Sequence, residues 1–264
     1  MHFEYSIVSI GTEKFGNKGY MCVSQMDEEG YRWICPYPHF VDNIKTFCAD
    51  KSLRISGSLS IEQIAFIRFQ LIPSLAFKNF TMSSFKKIGV IGGGALGVAT
   101  YYELKRLGAK NIFLMTRRNE YVGFLNSTGI NVDTLNMTDY DCLIDCTGDG
   151  LTIRNALEKI SLFGSVFLIG TPRSNNSIDS LVIHRKNLRL YGGHELNGVT
   201  DYERQIAIDI LSEWHIENSV NIKKFVKLHL ATANNLIKIL NHSCIEPINI
   251  LINEGEKNEG KAYF

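Results

Sequence analysis

Three glycines, Gly92, Gly94 and Gly97, stand at G-x-G-x-x-G spacing directly after the apolar run Lys87-Ile88-Gly89-Val90-Ile91. Glycine at those places allows a tight turn, close approach of backbone to a pyrophosphate, and tight packing of the next helix on the strand. Ala95 and Leu96 open that helix, whose first amide groups would face phosphate oxygens. The chemistry this spacing predicts is dinucleotide binding; a glycine-rich turn with no ligand is the plainer alternative. Cofactor type is read at the end of the following strand, where a carboxylate would accept from the ribose hydroxyl of NAD. The residues here are Met115-Thr116-Arg117-Arg118, with no carboxylate and two guanidinium groups suited to a 2′-phosphate. They predict NADP(H), unless both arginines are simply solvated loop residues.

Such a site needs a parallel sheet to hold it, and the surrounding pattern predicts one. The helical stretch after Gly97 runs to Leu107 and stops at Gly108. Asn111 to Met115 reads as a strand, Asn119 to Asn126 as a helix, and Ile130 to Leu135 as an extended piece. Asp141 to Cys146 makes a strand ending in Thr147-Gly148. Leu151 to Leu162 puts Ile153, Ala156, Leu157 and Ile160 on one helical face before Gly164, and strands return at Ser165 to Ile169 and Leu188 to Tyr191. Strands alternating with helices mean crossover units, so residues 84–195 are expected to form a doubly wound, Rossmann-type α/β domain.

The flanks read differently. Residues 1–83 begin with short extended pieces at Tyr5 to Ile10, Tyr20 to Gln25 and Tyr31 to Cys35, and Ser60-Ile61-Glu62-Gln63 then caps a connecting helix. In residues 196–264, Thr200-Asp201-Tyr202-Glu203 caps a helix with Ala207, Ile210, Leu211 and Trp214 facing inward. Leu228 to Leu240 reads as a further helix, Ile245 to Asn253 as a strand, and the rest as a polar tail.

Composition excludes several classes of partner. The 264 residues hold 28 Lys and Arg against 27 Asp and Glu, a net charge of +1. Nucleic acid and anionic membranes both call for a dense basic face, which this balance does not offer. No apolar run approaches the roughly 20 residues of a membrane span, and Met1-His2-Phe3-Glu4 does not read as a secretory signal. A cytoplasmic protein with neither nucleic-acid nor membrane partner is expected. Cys22, Cys35, Cys48, Cys142, Cys146 and Cys244 include no Cys-x-x-Cys pair and read as buried free thiols.

Gly92 to Gly97, Asp141 to Cys146 with Thr147-Gly148, and Val166-Phe167-Leu168-Ile169-Gly170 resemble the nucleotide-binding domain of the medium-chain dehydrogenases/reductases, the zinc-type alcohol dehydrogenase superfamily. Val8-Ser9-Ile10-Gly11-Thr12-Glu13, Gly19-Tyr20-Met21 and Pro36-Tyr37-Pro38-His39 resemble segments of that family's catalytic domain. The resemblance implies a small, reduced catalytic domain built from both chain ends. It also implies a cofactor site that takes in Thr147, Gly148, Gly170 and Thr171, and a homodimer joined around Leu188 to Tyr191. Departures stand beside it. Between Glu13 and Gly19 the chain is shorter than in the family, and Ser9 occupies the place of a thiolate zinc ligand. The family's His-Glu ligand pair and its four-cysteine lobe have no counterpart, so no metal site is expected.

Without zinc, a reductase still needs a group to donate or steer a proton as hydride arrives. His39 is the candidate, because an imidazole exchanges protons near neutral pH, with Thr12 and Glu13 to relay or orient it. A structural histidine beside two prolines is the alternative. His194 follows Gly192-Gly193 at the end of the last parallel strand, a place to face substrate or simply a polar turn. His2, His184, His215, His229 and His242 are expected at the surface. The function expected is an NADPH-dependent, zinc-free reduction of a C=O, C=N or conjugated C=C bond in a small-molecule or carrier-bound biosynthetic intermediate. The alternative is a nucleotide-binding scaffold or regulatory subunit that has lost the chemistry.

Overall fold

A computed structural model describes residues 2–14, 21–39, 51–133, 137–172, 177–218, 221–241 and 245–253. The chain divides into two compact units, residues 1–65 with 208–264 and residues 66–207. The first unit begins with β1 (Phe3–Val8), α1 (Ile10–Glu13), β2 (Cys22–Ser24), β3 (Tyr31–Cys35) and β4 (Leu53–Ser56), and α2 (Ile61–Ala76) runs across the boundary. The second unit alternates β5 (Ile88–Ile91), α3 (Ala95–Arg106), β6 (Ile112–Met115), α4 (Asn119–Ser127), β7 (Val132–Asp133), β8 (Tyr140–Asp145), α5 (Gly150–Leu157), β9 (Ile160–Leu168), α6 (Ser180–Lys186) and β10 (Arg189–Gly192). Then α7 (Asp201–Asn218) crosses back, and β11 (Val226–Leu230), α8 (Ala233–Leu240) and β12 (Ile248–Ile252) follow.

The sheet of the second unit has the order β10-β9-β8-β5-β6-β7 and every pairing is parallel. This is the doubly wound arrangement, with the winding reversing between β5 and β8. Strands covered by helices on both faces read as continuous apolar runs, and β5 is buried at all its positions. Ile91, Met115, Leu143, Ile153, Leu157 and Val166 belong to one core cluster that ties β5, β6, β8 and β9 to α5.

In the first unit the sheet order is β11-β12-β1-β2-β3-β4, antiparallel except for β11 beside β12. Val8, Ile239 and Leu251 pack together, and Phe3, Cys22 and Cys35 form a second cluster. Both capping boxes are formed. The Ser60 amide donates to Gln63 Oε1 (2.9 Å) and the Thr200 amide to Glu203 Oε2 (2.8 Å). Among the described residues no helix is long and apolar enough to cross a membrane.

Several expectations need correction. The helix foreseen to Leu162 ends at Leu157, because Ile160 pairs with Tyr140 and joins the sheet core. The register shifts before Cys142 meets Ser165, and the resulting bulge turns Leu162 and Phe163 outward, with Phe163 at φ +61°. The expected helix from Leu228 is two elements, strand β11 and helix α8. Val226–Leu230 finds a parallel partner in β12, and the helix starts only where Thr232 Oγ accepts from the Asn235 amide. On α7 it is Ile208, not Ile210, that is buried. His215 is fully buried rather than at the surface. Cys22, Cys35 and Cys142 are buried free thiols and Cys146 is half-buried; Cys48, Cys244, His242 and residues 254–264 lie outside the described residues.

Candidate active site

In the second unit the predicted cofactor residues gather at the carboxyl ends of the strands. Gly92 has φ +112°, a backbone shape that a side chain resists, and it turns the chain from β5 toward α3. A Cβ at Gly97 would lie 1.7 Å from the Gly92 carbonyl oxygen, so only glycine lets α3 close on the turn. Gly94 is the N-cap of α3, and a Cβ there would meet nothing within 4 Å. The turn thus leaves open space at the head of a twelve-residue helix, the room and the partial positive charge that a pyrophosphate needs. Ala95 and Leu96 form the first helical positions, as expected.

Two loops wall the turn. A Cβ at Gly93 would come 3.1 Å from Thr116 Oγ1, and one at Gly92 would come 2.8 Å from Thr147 Cγ2. Gly148 (φ +64°) and Gly170 interlock, since a Cβ on Gly148 would strike Thr171 O at 1.9 Å and one on Gly170 would strike Gly148 N at 2.6 Å. Thr147, Gly148, Gly170 and Thr171 therefore form one continuous wall. Sequence reasoning missed its organiser, Asp145. This buried carboxylate accepts from the Thr147 amide (2.9 Å) and hydroxyl (2.6 Å) and from the Gly148 amide (2.9 Å). Burial pushes its carboxyl up, against the pull of those donors. The Asp-x-Thr-Gly order was a readable signal for such a turn.

On the opposite wall, Thr116 is buried and its Oγ1 accepts from the Arg118 amide (3.2 Å). The two arginines diverge. Arg118 stacks on the Tyr121 ring at 3.9 Å, whereas Arg117 reaches to 3.8 Å from Asp149. His194 is exposed, with its Nδ1 accepting from the Leu196 amide (3.1 Å). Its neighbour Glu195 is held by both guanidinium nitrogens of Arg68 at 2.7 Å. Burial alone would push the Glu195 carboxyl up, but Arg68, helped by Arg204 and His194, brings it below the usual range. Arg68 lies 127 residues away in the chain, so no local pattern could have announced it.

In the first unit the structure brings Glu13 and His39 together, while the hydroxyl of Thr12, the residue before Glu13, meets Ser9. Residues 9–13 turn as α1 directly after β1, and this places Glu13 Oε1 2.7 Å from the Ser9 amide. Glu13 Oε2 lies 2.6 Å from His39 Nε2, and both side chains are only 2% exposed. A carboxylate can only accept, so the Nε2 hydrogen of His39 is committed to Glu13 and the ring is oriented by it. The Ser9 hydroxyl donates to Thr12 Oγ1 (3.2 Å). Cys22 aims its thiol at the carbonyls of Tyr37 and Pro38 (3.3 and 3.2 Å) just before His39, and burial pushes that thiol up to about 11. Among the described residues no three His, Cys, Asp or Glu side chains group as metal ligands would.

No protein-family profile matches the chain. A curated protein of Haemophilus influenzae, described as an uncharacterized zinc-type alcohol dehydrogenase-like protein, is 25% identical over 187 residues, 66% of this chain and 54% of that protein. The chain thus matches about half the length of that relative. Among solved structures, galactitol-1-phosphate dehydrogenase from Escherichia coli superposes with a TM-score of 0.74 at 15% identity, covering 96% of this chain and 91% of the other. A zinc-binding dehydrogenase from Sinorhizobium meliloti 1021, bound to NADP, gives 0.73 at 13%, with the same coverage. An Escherichia coli CFT073 alcohol dehydrogenase in complex with NADH gives 0.73 at 11%, covering 96% and 90%. At these identities the structures speak for the fold. The chain therefore has the fold of these dehydrogenases, and over the matched stretch its sequence is similar to a zinc-type alcohol dehydrogenase-like protein.

Proposed function

We propose that the protein is an NADPH-dependent oxidoreductase that reduces a C=O, C=N or conjugated C=C bond of a small or carrier-bound biosynthetic intermediate, without catalytic zinc. The observation that carries this reading is the glycine turn at the switch point of the parallel sheet, walled by Thr116 and Thr147 and open at Gly94. A bound nicotinamide cofactor would supply the hydride. The chain's own part is to hold the dinucleotide through Gly92, Gly94, Gly97, Thr147 and Gly148, to meet a 2′-phosphate with Arg117 and Arg118, and to manage the proton. For that last task the imidazole of His39, its Nε2 hydrogen held by Glu13, would donate from Nδ1 as the doubly protonated ring, with Glu13 as its positioning partner and Thr12, which accepts from Ser9, as a relay.

The donor set supports the zinc-free reading. Both Glu13 oxygens are engaged, Ser9 offers a hydroxyl where soft thiolate would be required, and Cys22 is held as a neutral thiol. The chain's own edge strand β10 and the family resemblance together support a homodimer through residues 188–191. Thermal unfolding with NADPH, with NADH and with neither tests the core of the proposal. A ligand that binds only the folded state at a hundredfold excess over Kd adds about 2.7 kcal/mol. NADPH should raise Tm more than NADH does, and no shift with either nucleotide would refute the assignment.

A further inference from the structure

Arg117 and Asp149 stand on the two loops that wall the glycine turn. Strand β5 lies between β6 and β8, all three parallel, so the loops leaving β6 and β8 flank the turn that leaves β5. Thr116 and Thr147, the residues nearest to Gly93 and Gly92, mark those flanks. One residue beyond Thr116 and two beyond Thr147, the guanidinium Nη2 of Arg117 lies 3.8 Å from Asp149 Oδ2. Asp149 is fixed at the head of α5, where the Thr152 hydroxyl donates to it. Arg117 is 68% exposed, while Arg118 is already laid on Tyr121.

We propose that this ion pair is a clasp across the nucleotide crevice and that Asp149 is a cofactor-selecting residue, because a 2′-phosphate must win Arg117 away from it. The proposal rests on the dinucleotide-binding reading and adds a residue that works against NADPH inside a site otherwise suited to it. A solvated pair at 3.8 Å is weak, so the exchange is feasible. A phosphate offers paired, charge-assisted contacts that the Asp149 carboxylate does not make at that distance. Asp149 acts on NADPH in two ways, by competing for the guanidinium and by repelling an added dianion. NADH carries no 2′-phosphate and meets neither effect.

The variant Asp149→Asn tests this, since asparagine remains a good N-cap for α5 while losing the charge. Dissociation constants for NADPH and NADH, read from the nucleotides' own fluorescence, are compared in wild type, Asp149→Asn, Arg117→Ala and the double variant. The clasp predicts that Asp149→Asn tightens NADPH by about 2- to 5-fold with NADH changed by less than about 1.5-fold, the scale of an exposed ion pair. The gain for NADPH should shrink when Arg117 is already alanine. An equal shift for both nucleotides, or no shift, would overturn the clasp alone. Weaker NADH binding in Asp149→Asn would also overturn it and make Asp149 the acceptor of a ribose hydroxyl. If wild type binds neither nucleotide, the dinucleotide reading falls and the clasp with it.

Discussion

His39 and Glu13 are 26 residues apart in sequence and 2.6 Å apart in space. A buried imidazole held by a carboxylate is oriented, and orientation is most of what a proton donor needs. His39→Gln should lower turnover of any acceptor that supports NADPH oxidation by roughly 10² to 10⁴, with NADPH affinity nearly unchanged. Glu13→Gln keeps the shape and leaves the donor in place but loosens it, so its loss should be smaller, about 10- to 100-fold. Full turnover in both variants would move the search for the donor to His194. Sequence alone offered His39 as the donor with Thr12 and Glu13 to relay or orient it; the contact between Glu13 and His39 depends on how β1, α1 and the segment after β3 fold together. His215 shows the limit of such reading, since nothing in its spacing told a buried histidine from a surface one. Burial pushes its imidazole down to about 4 from 6.5, so it stays neutral in the folded state. The unfolded chain takes up a proton below about 6.5, hence stability should fall as pH drops from about 6.5 to about 4 and level off below, by about 3 kcal/mol in all. Denaturant titrations should show that slope in wild type and lose it in His215→Leu.

At the scale of elements, the glycine turn makes two opposite predictions from two glycines three residues apart. Gly97→Ala drives a methyl into the Gly92 carbonyl and forces α3 off β5, which should cost roughly 2–4 kcal/mol of stability. Gly94→Ala meets open space at an ordinary backbone angle, so stability should change by no more than about 1 kcal/mol. Its methyl would stand where phosphate approaches, and dinucleotide affinity should drop at least about tenfold. A Gly94→Ala variant with wild-type affinity would place the phosphates elsewhere. The alternation of β5, α3, β6, α4 and β8 was legible because each has an unbroken apolar period and a glycine or polar stop. The start of β9 and the whole of β11 were not legible. Ile160 continues the helical stripe of α5, and only its pairing with Tyr140 makes it a strand. Leu228 and Leu230 are half-exposed on an edge strand, so no buried face advertises them. Arg68 and Glu195, joined across 127 residues, show the same limit for ion pairs.

At the scale of the whole molecule, composition bears on metal content as well as on partners. A catalytic zinc needs three protein ligands, deprotonated where they are acidic and not otherwise bound, of which a soft thiolate is one of the strongest. Here the Cys22 thiol, whose two carbonyl partners stand just before His39, is pushed up to about 11 by burial and points at those carbonyls, so surrendering its proton to a metal would be costly. Glu13 would have to give up the Ser9 amide or His39 to coordinate. Elemental analysis of the purified protein should therefore find well under one zinc per chain, and dialysis against a strong chelator should leave both Tm and NADPH affinity where they were. Stoichiometric zinc that resists the chelator, with Tm falling once it is removed, would mean that the Glu13 and His39 contact opens to accept a metal. His39 would then be a ligand rather than a proton donor, and the hydrogen-bonded pair would be the resting form of a metal site. A result of zinc-free protein with intact nucleotide binding would instead leave the developing charge on the substrate to be met by hydrogen bonds alone, the role assigned to His39.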